Sequence, residues 1–168
     1  MLKNRHLATG RSSALPVALA VAACAWLAGV VAAPFQPVSV GVLVYALGSV
    51  VCHQLPERSF HLGGVQLAVC ARCVGIYAGA AAALVWCAAR GTPRGGSSLV
   101  SDIWRRRWTL AIGAVPTAVT VLAEVMAGWT FSNATRAGAG VALGGALALV
   151  VSEAATLHYE QWPLRPRA

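Results

Sequence analysis

The chain has 168 residues, of which 58% are hydrophobic and 11% are charged, and its mean hydropathy is +0.67. Soluble domains carry about 25% charged residues, so this composition excludes an ordinary soluble protein and indicates an integral membrane protein in contact with the lipid bilayer. The net charge of +8 does not indicate nucleic-acid binding. Its basic residues gather in the connections and the tail. Four of its six tryptophans, Trp104, Trp108, Trp129 and Trp162, flank the apolar stretches, as interface anchors do.

Five apolar stretches follow one another along the chain. Four of them approach or exceed the roughly 20 residues needed to cross about 30 Å of hydrocarbon as a helix, and the second is shorter. The stretches are Leu15 to Ala33, Val38 to Cys52, Val65 to Ala89, Trp108 to Gly128, and Ala134 to Leu157. Backbone groups in lipid must be satisfied within helices, and the polar connections are too short for a soluble domain. The pattern therefore predicts an all-α fold, a polytopic membrane helical bundle with four to five transmembrane helices, as a single domain over residues 1–168.

The basic residues predict which side of the membrane each connection faces. Ten of the thirteen lie before the first stretch, between stretches three and four, and in the tail: Lys3, Arg5, Arg11, Arg90, Arg94, Arg105, Arg106, Arg107, Arg165 and Arg167. Because cytoplasmic connections are rich in Lys and Arg, the last two groups are expected in the cytoplasm. Either all five stretches span, with the N-terminus outside, or the short second stretch is re-entrant and the N-terminus is cytoplasmic. Both topologies put the loop between stretches two and three on the non-cytoplasmic side.

The first stretch is expected to be a retained helix, because the Ala33-Pro34 exit is a poor cleavage context.

That loop carries most of the soft-ligand chemistry of the chain. Cys52 and His53 come at the end of the second stretch, and Cys70 and Cys73 begin the third. Residues three apart on a helix lie on one face, so the CxxC pair can share a metal or a disulfide. Pro56 predicts that the second helix ends near Cys52, because the residue before a proline avoids helical geometry. The spacing predicts a hairpin over about residues 50–80 that brings these four side chains together.

Two kinds of chemistry fit these residues. Three thiolates and one imidazole suit a tetrahedral metal, with zinc as the leading prediction and copper(I) or iron as alternatives. His61 is an alternative to His53 as the nitrogen ligand. A membrane thiol-disulfide oxidoreductase that uses Cys70 and Cys73 as its active pair, with Cys52 passing electrons, is the second reading. A metal centre can serve structure, metal handling or a catalytic step, and the sequence does not decide whether the protein is an enzyme.

At these residues the chain resembles an uncharacterised family of small prokaryotic membrane proteins, a domain of unknown function. The shared pattern is C-H-Q-x-P-E-R-S-F followed by C-x-R-C-x-G-I-Y-x-G, here Cys52 to Phe60 and Cys70 to Gly79. It continues more weakly into a proline, an acid and a Ser-Asn-x-x-Arg segment, here Pro116, Glu124, Ser132, Asn133 and Arg136. Where many relatives carry an aspartate after that proline, this chain has Thr120. The resemblance implies a prokaryotic plasma membrane location and a shared site, but no established reaction.

Five further charged residues are candidates for a supporting role. Glu124 lies inside the fourth stretch, where a carboxylate costs several kcal/mol unless it is paired, hydrated or protonated, and Arg136 is its expected counter-ion. Glu57, Arg58 and Arg72 lie near the thiols and can order the loop or shift the thiol pKa through their charge. A third functional reading, transport through the Glu124 region, lacks the length and repeats of familiar transporters.

Small residues recur at helical spacing in two of the stretches. Gly75 and Gly79 form one face, and Gly140 and Gly144 form another. Such faces allow close approach of membrane helices. They predict either packing within the chain or a homo-oligomer.

Overall fold

The computed structural model describes residues 14–91 and 99–161. In these ranges the helices are α1 (Ala14–Ala32), α2 (Val38–Val51), α3 (Ala71–Arg90), α4 (Leu99–Met126) and α5 (Asn133–Gln161). Two short strands, β1 (His61–Leu62) and β2 (Val65–Gln66), pair antiparallel between α2 and α3. The basic residues Lys3, Arg5, Arg11, Arg94, Arg165 and Arg167 lie outside the described residues.

Four segments are long and apolar enough to cross a membrane: Ala14–Phe35, Ala71–Arg90, Ser101–Met126 and Asn133–Thr156. This confirms the predicted helical membrane bundle. The helix α2 has 14 residues, which at about 1.5 Å per residue is shorter than a bilayer crossing. By length and composition, the described helices thus give four candidate spans and one short apolar helix.

Two element boundaries differ from the apolar stretches. The third stretch starts at Val65, but Val65–Gln66 forms β2, and the helix begins at Ala71. The turn between the strands is Gly63-Gly64, with φ of +59° and +80°, values that glycine adopts without steric cost. At the other boundary, α4 begins at Leu99 rather than Trp108. Charged residues ended the hydropathy signal there, but they do not interrupt the helical backbone.

The central contact of the bundle is a glycine-lined crossing of α3 and α5. A Cβ atom added at Gly75, Gly79, Gly140 or Gly144 would overlap the backbone of the opposite helix. The added Cβ atoms would overlap, in that order, the backbone carbonyl groups of Ala137, Val141, Arg72 and Ile76. The two small-residue faces therefore pack against each other within the chain.

The other helices lie on either side of this crossing. The helix α1 packs against α3, and α4 packs against α5. Ala20, Leu84 and Ala148 form one buried apolar cluster. Large apolar side chains of α2 and α4 remain exposed, as expected of surfaces that face lipid: Val42, Leu43, Val115, Val119 and Leu122. The α2–α3 connection, with its thiols, lies at one end of this bundle.

Candidate metal centre

Three thiols meet where the α2–α3 connection closes on the first turn of α3. The Sγ atoms of Cys52, Cys70 and Cys73 all lie within 4.8 Å of one another. The chain leaves α2 at Val51, and Cys52 takes an extended conformation at the C-cap. Cys70 is the N-cap residue of α3, and Cys73 lies in the first turn of that helix. All five cysteines of the chain are free.

Backbone N–H groups converge on the sulfur of Cys52. The amides of Gln54 and Cys70 donate to this atom at 3.4 Å and 3.1 Å. Gln54 has a φ of +51°, a left-handed conformation that is uncommon outside glycine. This turn directs the Gln54 amide back toward the sulfur two residues earlier. The Cys52 sulfur is thus a hydrogen-bond acceptor for two backbone amides, which fix its position beside Cys70.

The Cys70 thiol is biased toward its ionised form. A hydrogen bond with the Cys73 thiol lowers the pKa of Cys70 to about 5. Cys70 also occupies the N-terminal end of α3, where the helix dipole favours negative charge. At neutral pH the cluster therefore contains a thiolate, the form that binds metals and attacks disulfides.

The surroundings of the thiols are apolar. Cys52 is buried in one cluster with Val30 and Val69, and Cys70 and Cys73 pack against it. The rings of Trp26 and Tyr77 meet edge to face at 5.9 Å between centroids and line the same cluster. The thiols thus lie between the polar loop and the apolar contact of α1 with α3.

The structure does not bring the predicted nitrogen ligand to the thiols. The close group of ligand atoms among the described residues contains the three thiols but not the imidazole of His53, whose side chain is exposed. His61, in β1, is exposed as well. Glu57 and Arg58 form an exposed 3₁₀ turn between Leu55 and Ser59. These four residues therefore lie on the exposed surface of the loop and not in the thiol cluster.

Amide side chains hold the loop in place, and sequence reasoning did not single them out. The Gln54 side chain donates to the carbonyl oxygens of Tyr45, in α2, and Ala68, just before α3, at 2.8 Å and 2.6 Å. Gln66 of β2 donates to the carbonyl oxygen of Gln54 and, at 3.2 Å, to the hydroxyl of Ser59. The position of Gln54 and Ser59 inside the C-H-Q-x-P-E-R-S-F pattern was the available signal.

A buried ion triad joins the CxxC segment to α4 and α5. The Glu124 carboxylate pairs with Arg136 at 2.7 Å and with Arg72 at 3.5 Å. The Arg72 guanidinium also donates to the hydroxyl of Thr120 at 3.4 Å. Arg136 is thus in the place expected of a counter-ion for Glu124, and Arg72 is a second one. The Thr120 hydroxyl is thus a neutral partner of the same arginine.

Asn133 connects the triad back to the loop. Its side-chain amide donates to the carbonyl oxygen of Ser59 at 2.9 Å, and its carbonyl oxygen accepts from Arg136 at 3.1 Å. A continuous chain of polar contacts therefore runs from Arg72 through Glu124, Arg136 and Asn133 to the loop. Because Arg72 lies between Cys70 and Cys73 in the sequence, the network starts from the segment that carries two of the thiols.

A second buried carboxylate, which sequence reasoning missed, lies toward the other end of α5. Glu153 pairs with Arg105, and with Arg106 at 3.5 Å. The positive-inside pattern accounts for these two arginines without predicting a carboxylate partner for them. Because Glu153 is more than 40 residues from them in the sequence, no local spacing pointed to the pair.

Comparison with known proteins agrees with this description. Residues 52–150, more than half of the chain, match the model of a family described as "Predicted membrane protein (DUF2085)". An uncharacterised protein of Methanocaldococcus jannaschii is 52% identical over 40 residues, which are 24% of this chain and 26% of that protein. The match thus spans about a quarter of the relative's length. No solved structure matches the chain. With the matched region running from Cys52 through the ion triad, the chain belongs to this family of membrane proteins.

Proposed function

We propose that this membrane protein binds a transition metal ion, zinc in the first place, through the thiolates of Cys52, Cys70 and Cys73. The observation that carries the proposal is the convergence of three sulfur atoms within 4.8 Å of one another from two separate segments. Thiolates are the ligands that select zinc, copper(I) and iron–sulfur centres over magnesium or calcium. The two other cysteines, Cys24 and Cys87, do not belong to this group.

The hydrogen bonds around the sulfurs support the same proposal. Metal ligation needs deprotonated thiols. Two amides already donate to Cys52, and the pKa of Cys70 is lowered to about 5. The cluster therefore already contains one sulfur that is biased toward the ionised form, as a metal ligand must be. Its polar supports, Gln54 and Gln66, fix the loop that carries Cys52.

The first test is metal content. The protein is purified in detergent under reducing, chelator-free conditions, and metal per chain is measured by mass spectrometry. We expect near-stoichiometric metal in the wild type and loss of that metal in a Cys70→Ser, Cys73→Ser variant. Cys24→Ser is the matched control, since this exposed cysteine lies outside the cluster. Metal-free wild-type protein with unaltered folding would contradict the proposal.

A second candidate function is thiol–disulfide exchange, and the low pKa of Cys70 favours it. In this reaction the Cys70 thiolate attacks a partner disulfide and releases one partner thiolate. Cys73 then displaces the second one, so the partner gains two electrons and Cys70–Cys73 becomes a disulfide. A Cys73→Ser variant should then accumulate a mixed disulfide in cells. Three reduced thiols that never enter such a product would remove this candidate.

We also propose that the thiol loop faces the non-cytoplasmic side of a prokaryotic plasma membrane. The arginines Arg90, Arg105, Arg106 and Arg107 lie around the α3–α4 connection, at the opposite end of α3 from the thiols. Positive-inside bias supports a cytoplasmic position for that connection. A Glu57→Cys variant, at an exposed loop position, should react in intact cells with a membrane-impermeant maleimide. Labelling only after cell lysis would reverse the orientation.

A further inference from the structure

The thiol cluster supplies one donor fewer than a tetrahedral metal takes. Three protein sulfurs converge, and among the side chains that the structure describes, in residues 14–91 and 101–156, no His, Asp, Glu or further Cys completes the group. Structural zinc sites are closed by four protein ligands, whereas sites that act on a ligand have three and keep one position for water or substrate. We infer that the fourth position on the metal takes a small thiol from outside the chain. This inference rests on the proposed metal centre.

His53 is the alternative fourth ligand, and the geometry around it argues against that role. Cys52 and Gln54 turn back on each other, with the Gln54 amide donating to the Cys52 sulfur at 3.4 Å. The residue between them has an exposed side chain. Gln54 is in turn tied to Tyr45 and Ala68 by two hydrogen bonds. Turning the imidazole into the cluster would require this bonded turn to reorganise.

The lining of the cluster indicates the class of the external ligand. Val30, Val69, Trp26 and Tyr77 surround the thiols with apolar and aromatic surface. A carboxylate or phosphate placed against this surface would lose part of its hydration, which is costly unless hydrogen bonds replace it. A thiol has an apolar carbon chain that fits this surface and a soft sulfur that matches the three sulfur donors. Cys70 and Cys73 are partly exposed, so the cluster is not sealed from a small molecule.

The charge of the complex points the same way. A divalent ion with three thiolates carries a net charge of −1, which repels oxyanions. A thiol can approach as a neutral molecule, replace the bound water, and release its proton to solvent as its sulfur binds the metal. No electrons are transferred in this exchange. The bound thiolate would then be held in an apolar site with its proton already removed.

Cobalt(II) in place of zinc tests the inference, because its visible absorption changes with the ligands that it binds. The protein is reduced with a phosphine, freed of small molecules, loaded with cobalt under nitrogen, and titrated with 2-mercaptoethanol or, separately, acetate. Wild type is compared with His53→Ala, and Cys70→Ser, Cys73→Ser is the variant expected not to bind cobalt. We expect 2-mercaptoethanol to shift the spectrum equally in wild type and His53→Ala, and acetate to leave it unchanged.

Three results would overturn the inference without touching the metal centre. One is a wild-type cobalt spectrum that ignores 2-mercaptoethanol while His53→Ala alters the spectrum, which would make His53 the fourth ligand. Another is a cobalt spectrum that responds to neither probe. The third is a shift with acetate and none with the thiol. Failure of wild-type protein to bind cobalt at all would instead contradict the proposed function itself.

Discussion

Two buried carboxylates lie at opposite ends of the α4–α5 pair, and the arginines that neutralise them differ in their exposure to solvent. Glu124 and Glu153 are almost equally buried, with side chains 6% and 4% exposed. The partners of Glu124 are also largely buried, at 19% for Arg72 and 10% for Arg136. Those of Glu153 reach 40% for Arg105 and 25% for Arg106. The first cluster is a dry junction of three helices, and the second lies closer to water.

The difference indicates what each cluster does. Arg72 lies between Cys70 and Cys73, and Asn133 links the Glu124 triad to the thiol loop. The Glu153 cluster joins α4 to α5 and lies at the far end of both helices from the thiols. We therefore expect the Glu124 triad to stabilise both the fold and the metal site. The Glu153 cluster should stabilise the fold alone.

Removing Glu124 should have the largest effect. Glu124→Ala leaves two guanidinium groups in a dry junction, and breaking a buried ion pair in this way costs about 3–5 kcal/mol. We expect a loss of that size in the free energy of unfolding, measured by denaturant titration in detergent, together with loss of bound metal. Glu124→Gln is the matched control, because it keeps the shape and one acceptor oxygen. Full metal content in Glu124→Ala would uncouple the triad from the site.

Removing Glu153 should cost less and leave the metal in place. Arg105 and Arg106 can regain hydration, so Glu153→Ala should lower the free energy of unfolding by about 2 kcal/mol, the range of a hydrogen bond to a charged group. Metal per chain, measured on the same preparation, should equal the wild-type value. If metal is lost here as fully as in Glu124→Ala, the two ends of the bundle do not differ in the way described.

Cutting the link between the triad and the loop should lower the stability only slightly but should still weaken metal binding. Asn133→Ala removes one donor to Ser59 and one acceptor from Arg136, which should lower the free energy of unfolding by about 1 kcal/mol. Because the loop is then less firmly held, we expect weaker metal binding in competition with a chelator. An unchanged affinity in a protein destabilised by this amount would show that Asn133 serves the helices only.

The exposed loop arginine provides the smallest expected effect. Arg58 is exposed on the 3₁₀ turn of the α2–α3 connection, so Arg58→Gln should change the free energy of unfolding by less than about 0.5 kcal/mol. Its metal content should match the wild type in the same mass measurement. A large loss of metal would give Arg58 the supporting role that its position in the sequence suggested.

The sequence predicted the parts of the molecule that depend on local pattern. Hydropathy gave the four long apolar helices, and the C-cap at Cys52 and the N-cap at Cys70 fall close to where Pro56 and the CxxC spacing indicated. It did not show that Gln54 adopts a left-handed conformation, which leaves its neighbour His53 exposed. A side chain's direction after a turn depends on backbone angles that composition does not reveal.

The polar network was the harder part to predict, since its members are distant in sequence. Asn133 and Ser59 are 74 positions apart, and Arg72 and Glu124 are 52 apart. The pairing of Arg136 with Glu124 could be predicted, because Arg136 follows Glu124 in the sequence after one short turn. The glycines of α3 and α5 suggested close packing, but only the folded chain shows that they meet each other.

X-ray absorption at the zinc edge, measured on purified protein that has been freed of small-molecule thiols, tests the metal proposal most directly. This measurement counts the sulfur atoms bound to the ion and gives their distance. We expect three sulfur neighbours at about 2.3 Å and one lighter atom, with the same sulfur count in His53→Ala. A zinc ion with no more than one sulfur neighbour, or a chain that retains no metal, would contradict a centre built from Cys52, Cys70 and Cys73.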